Sequence, residues 1–142
     1  IVLEDGEDFA KPELFPGARR TRLVDMEHLE EVCRDITSDD YICVMTRGHQ
    51  HDFLVEKQIL RTPASYIGVI GSRKKKEAVF AKLRQEGYTD QDLARIKTPM
   101  GLDIQAETPA EIAVSIAAEM IMERARRNHI ERPNEGGKEP CV

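Results

Sequence analysis

Four consecutive cations, Arg73-Lys74-Lys75-Lys76, follow Gly71-Ser72 where a short apolar run gives way to a helical pattern. The run is Tyr66-Ile-Gly-Val-Ile70, and Val79, Phe80 and Leu83 recur after it at helical spacing. Ser72 suits the helix N-cap, because its hydroxyl can accept one of the free amides at a helix start. The charge is the anomaly: the helix dipole already makes that end positive, and acidic side chains are preferred there. A local rule broken in one place often marks a functional site. An anion held jointly by the Gly71-Ser72 turn amides, Arg73 and Lys74 would compensate the charge. A solvated lysine face is the plain alternative, and the stretch by itself fits both.

Three other groups of polar residues could do chemistry. Thr46-Arg47-Gly48-His49 follows the apolar run from Tyr41, with His51 and Asp52 close behind. Gly48 lets backbone approach a ligand closely, while Arg47 and His49 can donate to a phosphate or a carbonyl oxygen. Asp52 stands three residues after His49 on one helical face and could orient that ring. The order His49-Gln-His51-Asp52 resembles the metal-binding run of binuclear hydrolases, but the spacing is wrong and the final His is missing, which sets a metal centre aside. Glu4-Asp5 ends the opening run Ile1-Val2-Leu3. An acid at the end of the second strand of a Rossmann sheet bonds the ribose of a dinucleotide, so Asp5 is a candidate, although a plain acidic turn is the simpler reading of the pair alone. Asp103 is a polar candidate in a loop shaped by Pro99 and Gly101. Cys43 reads as a small core residue in mid-strand, Cys33 faces the core of its helix, and neither has a neighbour that would make a thiolate.

The elements that must position these groups alternate. Ile1–Leu3 and Thr21–Val24 read as strands, separated by a loop rich in Pro and Gly. Asp25 can cap a helix over about residues 26–34, whose inner face carries Leu29, Val32 and Cys33. Tyr41–Thr46 is a continuous apolar run, the pattern of a strand buried on both faces. A helix over roughly residues 50–60 and the Tyr66–Ile70 strand come next. The helix from Arg73 stops at Gly87, a suitable C′ residue. Thr89–Asp92 has capping-box spacing without the usual Glu or Gln and opens a short helix. Leu102–Ile104 is a short strand or a turn. Thr108-Pro109-Ala110-Glu111 starts a helix that buries Ile112, Ile116, Ala117 and Met120, and Arg124, Arg126 and Arg127 close it. The polar residues 131–142 read as a disordered tail after one domain over residues 1–130. Strand and helix in alternation, with fully apolar strands, predict a doubly wound α/β domain with a parallel sheet.

Bulk properties exclude several roles. At 142 residues the chain fits one domain with a core. Its net charge is −5 and aromatics are 5% with no Trp, which argues against nucleic acid as a partner. There is no membrane-spanning run and no signal peptide. Three widely spaced cysteines make neither a disulfide framework nor a zinc site, and point to a reducing cytoplasm. The opening Ile1-Val2-Leu3, without an initiator Met, reads as a start inside a strand, the mark of a piece of something longer. The chain carries no nucleophile elbow, Walker motif or GxGxxG.

Taken in order, Phe15-Pro-Gly-Ala18, Thr46-Arg-Gly-His-x-x-Asp52, Tyr66-Ile-Gly-Val-Ile-Gly-Ser-Arg-Lys74, Gly101-Leu-Asp-Ile104 and Thr108-Pro-Ala-Glu-Ile-Ala-Val-Ser-Ile116 resemble the C-terminal Rossmann-like domain of the XdhC/CoxI family. The resemblance implies a Rossmann-like sheet that lacks its first strand and glycine turn. It implies a carrier rather than a catalyst: an accessory factor that binds the molybdenum cofactor, as molybdopterin or its dinucleotide form, while its terminal sulfur is installed. The cofactor then passes to an apo molybdenum hydroxylase of the xanthine dehydrogenase type. A cysteine desulfurase is a further implied partner, and a homodimer is open. On this reading Gly71, Ser72, Arg73 and Lys74 hold a phosphate and Arg47, Gly48, His49 and Asp52 flank the pterin, with Asp5 and Asp103 as further contacts. The family's Gly-x-Gly-His turn and N-terminal domain are absent, and Gln105 stands where a Gly is usual. The alternative is an NAD(P)-binding oxidoreductase of Rossmann type, supported by Glu4-Asp5 but without a Tyr-x-x-x-Lys pair. A third reading is a module that docks the hydroxylase through an exposed helix face.

Overall fold

The computed structural model describes residues 1–46 and 49–131. Strand β1 (Val2–Glu4) pairs in parallel with β2 (Thr21–Leu23), Val2 facing Thr21. Strands β3 (Tyr41–Val44), β4 (Tyr66–Val69) and β5 (Ile96–Lys97) form a second parallel sheet in that order. Helix α1 (Glu30–Asp35) connects β2 to β3, and α2 (His49–Ile59) connects β3 to β4. Helix α3 (Arg73–Gln85) and the short α4 (Asp90–Leu93) lead from β4 to β5, and α5 (Pro109–Glu131) follows. This is the parallel α/β architecture that the alternating pattern predicts, with its strands distributed over two sheets.

The chain divides into two compact units, one ending at Pro99 and one beginning at Met100. In the first, the core lies around the three-stranded sheet and includes Val44, Ile59, Ile67, Phe80, Leu83 and Ile96. Every residue of β4 is buried, as a central strand of a covered parallel sheet requires. Within it the Tyr66 ring lies across Gly68, where a Cβ would come within 2.6 Å of Tyr66 Cε1. The same ring stacks on Tyr41 of β3, centroids 5.6 Å apart. Glycine is therefore the residue that lets an aromatic lie flat on the strand.

Strand β3 departs from the expectation. Only Val44 of its residues is buried and Cys43 is exposed, so Cys43 is not a core residue. Strand β3 is the edge of its sheet and has one strand partner among the described residues, and an apolar run alone cannot tell an edge from a centre. Cys33 does pack against the core cluster.

Helix α1 begins at Glu30, later than predicted. The Asp25 carboxylate accepts the Glu27 amide two residues on, at 2.9 Å, so the chain turns before it coils. Gln58 of α2 then fixes the link, accepting from the Leu29 amide at 2.6 Å and donating to the Met26 carbonyl at 2.9 Å. The C-terminal stop of α3 is as expected: Gly87 has φ +89° and the Tyr88 amide reaches back to Leu83 at 3.1 Å. A full capping box opens α4, with Asp92 in the place usually held by Glu. Those bonds hold the Asp92 carboxyl below its ordinary range. Arg95 ties the sheet to the end of α2 by donating to the carbonyls of Leu60, Thr62 and Ala64 at 2.6, 2.7 and 3.2 Å.

In the second unit, Thr108 and Glu111 cap α5 reciprocally, and the Glu111 carboxylate also accepts from Glu107. Its inward face centres on Ser115 and Ile116; Ala117, expected there, is exposed. Ser115 takes the inward place because its hydroxyl donates to the Leu102 carbonyl at 2.5 Å. Gly101, at φ +99°, comes close enough to α5 that a Cβ would lie 3.3 Å from the Ile116 amide. Leu102–Ile104 is not a strand. No described helix is long and apolar enough to cross a membrane. The tail expected from Glu131 lies outside the described residues, apart from Glu131 itself, which closes α5.

Candidate functional site

Parallel pairing sets the carboxyl ends of β3 and β4 side by side. Val44 faces Val69, and the Ile70 amide donates to the Val44 carbonyl at 3.0 Å. The segments that leave the two strands, Met45-Thr46 and Gly71-Ser72, therefore emerge as neighbours at the edge where ligands bind in such sheets.

At the Gly71 turn, Ser72 is the N-cap and its hydroxyl oxygen accepts from the Lys75 amide at 3.3 Å. The amides of Arg73 and Lys74, first in the helix, have no intrahelical acceptor. The four cations then divide. Lys76 is half-buried with its ammonium 5.2 Å from the Phe80 ring centroid, a cation–π contact. The stem of Lys75 lies over Gly71, whose Cβ, if present, would be 3.5 Å from Lys75 Cδ. That is ordinary contact, so the turn does not demand glycine there. Arg73 and Lys74 are exposed at the mouth. Two free amides and two exposed cations at one helix start are suited to an anion.

Across from them, the Thr46 hydroxyl donates to Asp52 Oδ1, and Asp52 is 3% exposed. Arg47 and Gly48 lie outside the described residues, and so does the side chain of His49, whose backbone opens α2. The described partner of Asp52 is thus Thr46, two residues beyond β3. One turn further along α2, Glu56 is 2% exposed, and its Oε2 has no hydrogen-bond partner among the described residues. Burial, and secondarily the neighbouring Asp52, push its carboxyl up to about 7. Glu56 is absent from the sequence reading, although its signal was there: Asp52 and Glu56 stand four apart on the helical face that also carries Val55 and Ile59.

Asp5 is drawn to the same helix. His51 Nδ1 is 3.5 Å from Asp5 Oδ2, across a pocket of about 500 Å³ lined by those two residues and by Leu23 to Glu27. The end of β1 and the first turn of α2, far apart in sequence, therefore share one cavity. Asp103 is exposed and belongs to the second unit. Among the described residues, no group of three or more His, Cys, Asp or Glu side chains is arranged to hold a metal ion.

Residues 1–120 match the family described as the XdhC Rossmann domain. The uncharacterized protein YqeB of Escherichia coli K12 is 32% identical over 112 residues, 78% of this chain and 20% of that protein. A probable xanthine dehydrogenase subunit from Bacillus subtilis 168 is 32% identical over 87 residues, 61% of this chain and 24% of that protein. A crystal structure described as a xanthine dehydrogenase, from Bacillus halodurans, superposes with a TM-score of 0.74 at 27% identity, over 93% of this chain and 37% of that one. The chain thus spans about a quarter or less of the curated relatives and just over a third of the solved neighbour.

Proposed function

Because this chain belongs to the XdhC family through its Rossmann domain, we propose that it is an accessory factor of the xanthine dehydrogenase system that binds the molybdenum cofactor and delivers it to the apo-hydroxylase. The observation that carries the reading is the pair of exposed cations, Arg73 and Lys74, at the Ser72-capped start of α3. They meet two amides without intrahelical acceptors at the carboxyl edge of a parallel sheet. A phosphate monoester, or the diphosphate of a dinucleotide form, fits that donor set. The names of the Bacillus relatives support the system, though not the step.

The chain's residues hold and orient. Arg73 and Lys74 take the phosphate, and Ser72 fixes the helix start that presents their amides. Asp52 holds Thr46 at the end of the segment that leaves β3, and Arg47, Gly48 and His49, next in sequence, flank the pterin in this proposal. When bound, the cofactor supplies the molybdenum chemistry of the client. A cysteine desulfurase that installs the terminal sulfur, and a cytoplasmic setting, belong to the same proposal.

A second reading, an NAD(P)-binding oxidoreductase, is favoured by one observation, the Asp5–His51 pocket at the end of β1, where an acid can accept from ribose hydroxyls. One experiment separates the two. The protein is incubated with a source of molybdenum cofactor, desalted, and its pterin measured by the fluorescence of the oxidised product, with NAD(H) in a parallel sample. Near-stoichiometric pterin supports the carrier; no pterin with saturable NAD(H) overturns it in favour of the oxidoreductase.

A further inference from the structure

We infer that the exposed flank of α3 is a docking groove for an acidic segment of a partner protein. Lys74, Ala78 and Lys82 recur at four-residue intervals along one stripe of the helix, and Lys75 and Val79 lie beside it. With Ser72 these residues line a groove of about 420 Å³. Val79 is buried and forms its floor, while Ala78 is exposed. The groove therefore starts at the anion-binding turn and runs two helical turns away from it.

Several cations elsewhere on the chain are paired with carboxylates. Lys11 pairs with Asp8 at 3.0 Å, Lys57 with Glu86 at 2.5 Å, Arg84 with Asp90 at 2.9 Å and Arg126 with Glu123 at 2.9 Å. Lys74, Lys75 and Lys82 have no carboxylate partner among the described residues, on a chain whose net charge is −5. They are also positioned. The Lys82 ammonium lies 5.7 Å from the Phe53 ring centroid and the Lys75 stem packs over Gly71, so both side chains have contacts that limit their freedom. Three unpaired cations over a small apolar floor complement an acidic segment that carries a small apolar side chain between its carboxylates. Lys74 and Lys82 stand about 12 Å apart along the helix axis, so carboxylates about two helical turns apart match them. Nucleic acid fits less well: the groove's cations lie on one flank, no aromatic lines the groove, and the chain's net charge is −5. The inference does not depend on the identity of the ligand at Arg73 and Lys74. Its position does place a docked partner next to whatever that turn holds.

The test uses the full chain and a fluorescein-labelled amphipathic peptide of Glu, Ala and Leu, followed by anisotropy. The K75E/K82E variant should bind the peptide at least about tenfold more weakly. K11E changes the charge on another surface and should stay within about twofold. Circular dichroism melts confirm that each variant is folded. Absence of saturable binding, an equal loss in K11E, or an undiminished affinity in K75E/K82E would overturn the assignment. So would a lysine-dependent preference for phosphatidylserine vesicles or a single-stranded oligonucleotide over the peptide. Pterin retention, read on the same K75E/K82E protein with Arg73 and Lys74 intact, is a separate readout, so the cofactor proposal can fail while the docking groove stands.

Discussion

Replacing Glu56 by Gln should make the protein more stable at neutral and alkaline pH and leave it unchanged in acid. Glu56 is 2% exposed and its Oε2 has no hydrogen-bond partner among the described residues. The carboxyl moves from 4.5 to about 7 in the folded chain, through burial first and Asp52 second. A raised acid pKa means that the folded state binds the proton more tightly than the unfolded state. Stability is therefore fullest below pH 4.5, falls as pH climbs through the interval to about 7, and carries the whole cost above it. At about 1.36 kcal/mol per pH unit, the cost of ionising Glu56 at pH 8 is about 3 kcal/mol. Gln keeps the shape and the ability to donate toward Asp52 but cannot ionise. Urea midpoints for both proteins at steps from pH 4.5 to 8 should coincide at the acid end and diverge steadily above it, with Gln the more stable. Asp40, Asp92 and Glu111, whose hydrogen bonds hold their carboxyls low, contribute the opposite trend below the carboxylate range, and equally in both proteins. Parallel profiles, or a Gln variant less stable at pH 8, would refute the reasoning.

Three other outcomes follow from the packing. Gly68→Ala drives a methyl into the Tyr66 ring and unstacks it from Tyr41, costing about 1–3 kcal/mol in urea unfolding, whereas Gly17→Ala, with nothing within 4 Å, should be nearly silent. Arg95→Met strips the donors from three carbonyls beyond α2 and should lower the urea midpoint by the equivalent of about 1–3 kcal/mol. Arg73→Ala with Lys74→Ala removes cations from the positive end of α3 and should raise stability by up to about 1 kcal/mol, measured as a thermal shift without added phosphate.

Local signals carried much of the architecture. Ser72, Gly87 and the Thr108–Glu111 pair mark their helix ends because capping uses residues within a few positions of one another. The burial of β4 follows from its unbroken apolar run. Legibility ended where a distant residue decides the outcome. Gln58 fixes Met26 and Leu29 from about thirty positions away, which no window around Asp25 reveals. Cys43 is exposed because β3 is an edge, and edge and centre differ only in what pairs alongside. The site divides in the same way. The turn from Gly71 to Lys74 was readable, since strand, cap and helix are contiguous there. The approach of Asp5 to His51 is a product of topology. The buried Asp52–Glu56 face was present as spacing, but its burial depends on what covers α2.

If Arg73 and Lys74 hold the phosphate of a molybdenum cofactor, the wild-type chain and the R73A/K74A variant must differ in how much cofactor they retain. Both proteins are loaded from the same cofactor source, desalted and assayed for pterin, with thermal melts run alongside. The account predicts near-stoichiometric pterin on the wild type and none on the variant, which melts no lower than the wild type. Equal retention by the two folded proteins would contradict it.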